Sequence, residues 1–103
     1  MPEEQESHRK RTRPERLRPP AAATAALEHL NELTAYDSQG IVSLEPSDDG
    51  WIVGIEVVED RRIPSSTDLL ALYEVEIDTQ GDLVSYARKR RYARGKSDSG
   101  EMD

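Results

Sequence analysis

The side chains that most often carry catalysis or bind metals are scarce in this sequence. Its 103 residues include no cysteine and only two histidines, His8 and His29. Thiolate nucleophiles, thiolate metal sites and disulfides are therefore excluded. Neither histidine has a second ligand at the spacing of a metal-binding motif, so we predict no metal site. His29 falls on a predicted helix and is interpreted as an ordinary boundary histidine.

Carboxylates are abundant, but they are not arranged as a catalytic pair. Glu56, Glu74, Glu76 and Asp78 alternate with apolar residues on predicted strands, which places them on the solvent-facing side of a sheet. Their expected role is the solubility of that face. The sequence also lacks a glycine-rich phosphate loop and a nucleophile elbow. We therefore predict no enzyme activity, no catalytic residue, no small-molecule substrate and no cofactor.

The connection from Glu59 to Leu70 carries more specific chemistry than a link between two strands requires. Arg61 and Arg62 are the only basic residues between positions 21 and 87, and the apolar Ile63 is followed by a proline. The two arginines either pair with Glu59 and Asp60 or offer forked donors to a carboxylate of a partner.

A second basic segment follows near the end of the chain, where residues 88–96 contain six Lys/Arg and no acidic residue. Both segments place positive charge beside an otherwise acidic surface, which favours protein docking. The candidate docking residues are therefore Arg61, Arg62, Ile63, Pro64, Arg88, Arg90, Arg91 and Arg94.

The formal net charge of −7 conceals a strong segregation of charge along the chain. Residues 21–87 carry two Lys/Arg against fourteen Asp/Glu, whereas residues 1–20 carry six against four. Basic tails attract phosphates, but the acidic centre repels them, and no aromatic residues interleave with the N-terminal basic residues. Nucleic acid is therefore not the expected partner; the tails either fold against the acidic sheet or dock to an acidic protein surface.

Helical periodicity begins at Pro20. Apolar residues then recur at intervals of three and four, at Ala23, Ala26, Leu27, Leu30 and Leu33, followed by Thr34. This spacing predicts an amphipathic helix from Pro20 to about Ala35, with prolines at its entrance and Gly40 as the stop after its last turn.

After Gly40 the apolar pattern changes to alternation, which predicts strands near residues 41–45, 51–59, 71–78 and 83–92. A tight turn at residues 80–81 would set Ile77 opposite Val84, Val75 opposite Tyr86 and Tyr73 opposite Arg88. Tyr92 is an even number of residues from Val84 and Tyr86, so all three side chains are expected on the same, apolar face of the sheet. The predicted fold is α+β, with one N-terminal helix packed on a four-stranded antiparallel meander and disordered charged termini.

The apolar residues also define the domain boundaries. Of the 20 Leu, Ile, Val and Phe residues, 19 lie between Leu27 and Val84. We expect a disordered tail at residues 1–19, a folded domain at 20–95 and a disordered acidic tail at 96–103. The N-terminus lacks the apolar segment of a secretory signal and no apolar run is long enough for a membrane span, so a cytoplasmic protein without membrane contact is expected.

One set of residues, taken in order, resembles a known family. It consists of Gly50-Trp51, Glu56 to Glu59, Arg62-Ile63-Pro64, Asp68 to Val75 and Arg90-Arg91-Tyr92. This combination is similar to the gas vesicle protein O family over residues 20–94, and the N-terminal basic residues are not part of it.

The resemblance implies a cytoplasmic, non-catalytic accessory protein needed to make gas vesicles, the gas-filled protein shells that give cells buoyancy. It implies no cofactor, and its partners would be other gas vesicle proteins contacted at vesicles or their assembly intermediates. The alternative from the residues alone is a nucleic-acid-associated regulator that uses the basic tails.

Overall fold

The computed structural model describes residues 16–95. They form one α-helix, four β-strands and a short 3-10 helix, which are α1 (Pro19–Leu33), β1 (Asp37–Ser47), β2 (Gly50–Asp60), η1 (Ser65–Thr67), β3 (Leu69–Asp78) and β4 (Leu83–Ala93). The tails predicted to be disordered fall mainly on residues 1–15 and 96–103, which lie outside the described residues.

The four strands form one antiparallel sheet in the order β1-β2-β3-β4, and α1 packs on one of its faces. The predicted α+β class and the meander are thereby confirmed. β1 is longer than predicted, because its polar ends pair with the long β2: Asp37 lies opposite Val58, and Ser47 lies opposite Gly50. Cross-strand hydrogen bonding thus extends a strand beyond the residues whose apolar alternation marks it.

α1 begins one residue before its predicted start and ends two residues before its predicted end. Pro19 and Pro20 occupy its first turn. Backbone N–H groups have no intrahelical acceptor there, so the prolines cost the helix no hydrogen bond. The helix ends at Leu33 because Thr34 is extended. Gly40, expected to stop the helix, lies within β1 instead. No helix in residues 16–95 is long and apolar enough to cross a membrane.

The core lies between α1 and the sheet. Its fully buried side chains are Ala22, Ala26 and Leu30 from the helix and Val53, Ile55, Val57, Ala71, Val75 and Ile77 from the two central strands. These strand residues alternate along β2 and β3, so one face of the sheet is apolar as the period of two predicts.

The alignment of β3 with β4 begins differently from the prediction. Ile77 pairs with Leu83 rather than with Val84, because the register shifts between Glu76 and Ile77. Leu83 therefore packs against the core, whereas Val84 is 54% exposed. The predicted pairs of Val75 with Tyr86 and Tyr73 with Arg88 are confirmed.

A second register shift, between Leu72 and Tyr73, corrects the placement of Tyr92. Tyr92 lies opposite Leu70, on the face away from α1, and its hydroxyl bonds to the carboxylate of Glu56. An unpaired extra residue in one strand moves every later side chain of that strand to the opposite face of the sheet. The prediction for Tyr92 assumed uninterrupted alternation and is therefore wrong.

The residues just before α1 also contact the core. Leu17 packs against it, and its carbonyl accepts a hydrogen bond of 2.9 Å from the indole N–H of Trp51. On the other side of Leu17 lies the β3–β4 turn, where Gly81 has a φ of 93°, a conformation that favours glycine. The half-buried His29 donates to the Gly81 carbonyl at 2.8 Å.

Candidate functional site

The two basic segments identified in the sequence meet at one end of the sheet. β2 ends and β3 begins there, so the loop of residues 61–68 lies at that end. β4 runs antiparallel to β3 and pairs Ala93 with Leu69, which brings residues 88–94 beside the loop. We call residues 61–68 and 88–94 together the basic end.

The carboxylate of Asp68 ties the loop to β4. It is 2% exposed and accepts hydrogen bonds from the Arg62 backbone N–H at 2.7 Å and from the Arg94 guanidinium at 3.1 Å. Two backbone bonds of 2.8 Å reinforce this contact, from Arg94 N–H to the Asp68 carbonyl and from Gly95 N–H to the Ser66 carbonyl. The Arg62 amide and the Arg94 guanidinium lower the pKa of Asp68, so this link is ionised at neutral pH.

The loop presents Ile63 to solvent at 98% exposure. Beyond it, the Ile63–Pro64 peptide bond is cis, and the Pro64 carbonyl accepts hydrogen bonds from the Thr67 hydroxyl at 2.8 Å and the Thr67 N–H at 2.9 Å. The backbone on both sides of Ile63 is therefore hydrogen-bonded while its side chain contacts water. An apolar side chain held outward in this way is accessible to a partner.

Arg61 and Arg62 have different ion-pair partners. Arg62 pairs with Asp60 at 3.0 Å, one of the two carboxylates expected for these arginines. Arg61 instead reaches Asp37 at the start of β1, at 2.7 Å, and this bond raises the pKa of Arg61. Both guanidinium groups remain half exposed, so each can still donate to a partner.

Glu59 was one of the two carboxylates considered as partners of the loop arginines, and it pairs instead with arginines of β4. Its side chain is 4% exposed and bonds to Arg88 at 3.2 Å, to Arg91 at 3.0 Å and to the Tyr73 hydroxyl at 3.3 Å. A bulge between Val58 and Asp60 leaves Glu59 out of the strand pairing. Burial and the Glu59 carboxylate raise the pKa of Tyr73.

Glu59 and Asp68 were not among the candidate site residues. The only sequence signal for them is their position, one at each end of the loop. Their partners Arg88, Arg91 and Arg94 are more than 25 residues away in sequence, and local patterning does not encode such pairings.

All eight candidate docking residues lie in the basic end, but those on β4 do not share one face of the sheet. Arg88 and Arg91 lie opposite Tyr73 and Ala71, whose side chains face α1. Arg90 lies opposite Leu72 and therefore on the other face of the sheet.

The sheet face away from α1 carries the carboxylates considered in the sequence. A hollow of about 160 Å³ lies there, lined by Ile52, Glu74, Glu76, Ser85, Ala87 and Lys89. Lys89 approaches Glu74 at 3.9 Å, which is an ion pair of partly exposed groups. Across residues 16–95, no three histidine, cysteine or acidic side chains are grouped so that they could hold a metal ion.

The fold and the basic end define a small α+β protein that exposes charged and apolar side chains at one end of its sheet. The chain belongs to the family described as gas vesicle synthesis protein GvpO, whose model matches residues 4–98. This confirms the resemblance inferred from the residues.

Three relatives support this membership. Gas vesicle protein O of Streptomyces sp. (strain CB03234) is 47% identical over 73 residues, which are 71% of this chain and 57% of that protein. Gas vesicle protein O1 of Halobacterium salinarum is 35% identical over 74 residues, 72% of this chain and 62% of its own length. Gas vesicle protein O of Haloferax mediterranei is 35% identical over 75 residues, 72% of this chain and 54% of its own length. The chain thus spans little more than half of these relatives, and no solved structure matches it.

Proposed function

We propose that this chain is a non-catalytic accessory protein of gas vesicle assembly that binds other gas vesicle proteins through its basic end. It acts in the cytoplasm, at vesicles or at their assembly intermediates. Membership of a gas vesicle synthesis family supports the process. The observation that supports the mode of action is the 98% exposed Ile63, flanked by two half-exposed arginines.

The hydrogen bonds around the loop favour binding. Asp68 accepts from the Arg62 N–H, and the Pro64 carbonyl accepts from Thr67, so the loop is ordered without a partner. A loop that is already ordered loses little conformational entropy when a partner docks, and more of the contact energy remains as affinity. Ile63 is the anchor in this proposal, and the arginines orient an acidic partner around it.

The pairing of the cations on β4 favours a protein partner over nucleic acid. Each of four cations lies within 4 Å of a carboxylate. Arg88 and Arg91 pair with Glu59, Lys89 with Glu74, and Arg94 with Asp68. Neighbouring carboxylates repel phosphates and reduce the counterion release on which nucleic-acid binding depends. Such partly neutralised arginines suit the isolated carboxylates of a protein surface better.

The experiment is complementation of a vesicle-forming strain that lacks this gene, scored by buoyancy and light scattering. Ile63→Ser is expected to reduce vesicle yield while the purified protein keeps its melting temperature, because the side chain contacts water. Val84→Ser is the matched control, since Val84 is a β-branched apolar residue that is also exposed, at 54%, outside the basic end. It is expected to support normal yield.

Affinity purification of the tagged chains tests the same proposal at the level of binding. The unmodified chain and Val84→Ser should retain other gas vesicle proteins, and Ile63→Ser should lose them. Normal vesicle yield and normal co-purification from a folded Ile63→Ser chain would contradict the proposal that the loop docks.

A further inference from the structure

α1 covers only part of the sheet face on which it packs. α1 contacts residues of all four strands, but its buried side chains pack with those of the two central strands. On β3 four side chains that face α1 are buried; the β4 partner of one of them, Leu83, packs against the core, but the other three partners are exposed. The exposed partners are Tyr86, opposite Val75, Arg88, opposite Tyr73, and Arg91, opposite Ala71. The α1 face of β4 is therefore exposed from Tyr86 to Arg91 and can be contacted by a partner.

The floor of this uncovered surface is aromatic. Three tyrosines form a continuous row, in which the ring centroids of Tyr36 and Tyr73 are 6.3 Å apart and those of Tyr73 and Tyr86 are 6.4 Å apart. We call these three residues the tyrosine row. Tyr36 and Tyr86 are exposed, as is Leu33 at the end of α1. Tyrosine contributes a large apolar area at a low entropic cost, and it is enriched in protein interfaces.

The rim of the surface has an excess of positive charge. Arg88 and Arg91 are each about half exposed and share the single buried carboxylate of Glu59. Two guanidinium groups thus have one negative charge between them, and each guanidinium has five N–H donors. The donors that Glu59 does not use are available to carboxylates from outside.

We infer that this surface binds an amphipathic helix of a partner protein, with the apolar stripe of that helix on the tyrosine row and its Asp or Glu side chains on Arg88 and Arg91. The inference rests on the proposed docking role and adds the chemistry of the partner. An amphipathic helix matches an apolar row beside a charged rim, because its apolar stripe and its acidic flank lie on adjacent faces. An added strand at the β4 edge is disfavoured, since residues 88–91 are four consecutive cations that guard that edge.

Fluorescence anisotropy of two labelled synthetic peptides with the full chain tests this. Both peptides are 18-residue amphipathic helices with the same leucine stripe, one flanked by glutamate and the other by lysine. The glutamate peptide is expected to bind, with an affinity that falls as salt rises, and the lysine peptide is not.

Matched variants locate the binding site. Arg88→Ala and Tyr86→Ser should each weaken binding of the glutamate peptide by about tenfold, the loss of a typical interface anchor. Lys89→Ala is the control, because Lys89 is the next residue, has 51% side-chain exposure against 47% for Arg88, and lies on the opposite face. It should leave binding unchanged, and melting curves of all variants establish that they are folded.

Three results would overturn the inference: no binding of the glutamate peptide, equal binding of both peptides, or an equal loss in the Lys89→Ala chain. Binding of a labelled oligothymidine that requires Tyr86, without binding of the glutamate peptide, would also overturn it and assign the surface to nucleic acid. Loss of vesicles in Ile63→Ser beside a negative peptide result would leave the proposed function standing and remove only the helical partner.

Discussion

Two buried carboxylates, Glu59 and Asp68, organise the arginines of the basic end. A carboxylate out of water is costly unless cations and N–H donors surround it. Each of these two therefore holds side chains that are distant in sequence: Glu59 holds Arg88 and Arg91, and Asp68 holds Arg94. At the scale of single residues, these acidic groups position the arginines to which the proposal assigns contact with a partner.

A charge exchange separates a structural from a docking role for Arg62. Arg62→Asp combined with Asp60→Arg preserves the ion pair and the net charge but moves the positive charge by two residues. Exposed ion pairs contribute about 0–1 kcal/mol to stability, so the folded state should be almost unaffected. If Arg62 docks a partner, the exchanged chain should melt normally and still form few vesicles in the complementation assay.

The single variant Arg62→Glu is the companion measurement for this exchange. It places like charges at positions 60 and 62 and should also reduce vesicle yield. Full recovery of vesicles by the exchanged chain would show that Arg62 acts only through Asp60.

The loop and β4 behave as one element because Asp68 joins them. Its carboxylate contacts the Arg62 amide and the Arg94 guanidinium, and the backbone of residues 94 and 95 bonds to the loop as well. The exposure of Ile63 thus depends on the end of a strand that follows it by about thirty residues.

The pH dependence of stability should reveal this link. The folded state lowers the pKa of Asp68, so its contribution is present above the unfolded value of about 4 and is lost as the pH falls through the lower folded value. Asp68→Asn retains an oxygen acceptor for the Arg62 amide but loses the charge. Its melting temperature should lie below that of the unmodified chain at pH 7, and the difference should shrink below pH of about 4.

Asp60→Asn is the control, since Asp60 is half exposed and belongs to the same connection. Its melting temperature should differ little from that of the unmodified chain at either pH. A difference between Asp68→Asn and the unmodified chain that stays constant from neutral to acidic pH would contradict the role assigned to the Asp68 charge.

The folded part of the molecule extends before α1. Leu17 lies against the core, its carbonyl accepts from Trp51, and Arg16 stacks over the Trp51 ring with its guanidinium carbon 5.8 Å from the centroid. The Arg16 guanidinium also donates to the Ser47 carbonyl at 3.0 Å. These contacts include residues 16 and 17 in the folded unit, before the boundary at residue 20 expected from apolar periodicity.

Two fragments test this boundary. Residues 16–95 should melt close to the full chain, whereas residues 20–95 should melt lower by on the order of 5 °C or more, because they lack the hydrogen bond to Trp51 and the burial of Leu17. The fluorescence of Trp51, the only tryptophan, should shift to longer wavelength in the shorter fragment. Equal melting temperatures and equal emission maxima would restore residue 20 as the boundary.

The sequence by itself determined the elements and the family. The alternation of Val53, Ile55 and Val57 marks a strand with one apolar face, and the spacing of Ala26 and Leu30 marks a helix, because side-chain direction follows backbone period. The ordered residues from Gly50 to Tyr92 were sufficient to recognise the family. The candidate docking residues were also selected from the sequence, the arginines by their charge and Ile63 and Pro64 as an apolar residue followed by a proline in the same loop.

The tertiary structure decided the registers and the partners. Leu83 replaces Val84 in the core, and Tyr92 lies on the face away from α1, because at each of two register shifts β4 has one residue more than β3. The ion pair between Glu59 and Arg88 depends on the alignment of β2, β3 and β4. Such contacts depend on which distant segments the sheet brings within a few ångströms, and short-range sequence periodicity carries no information about that distance.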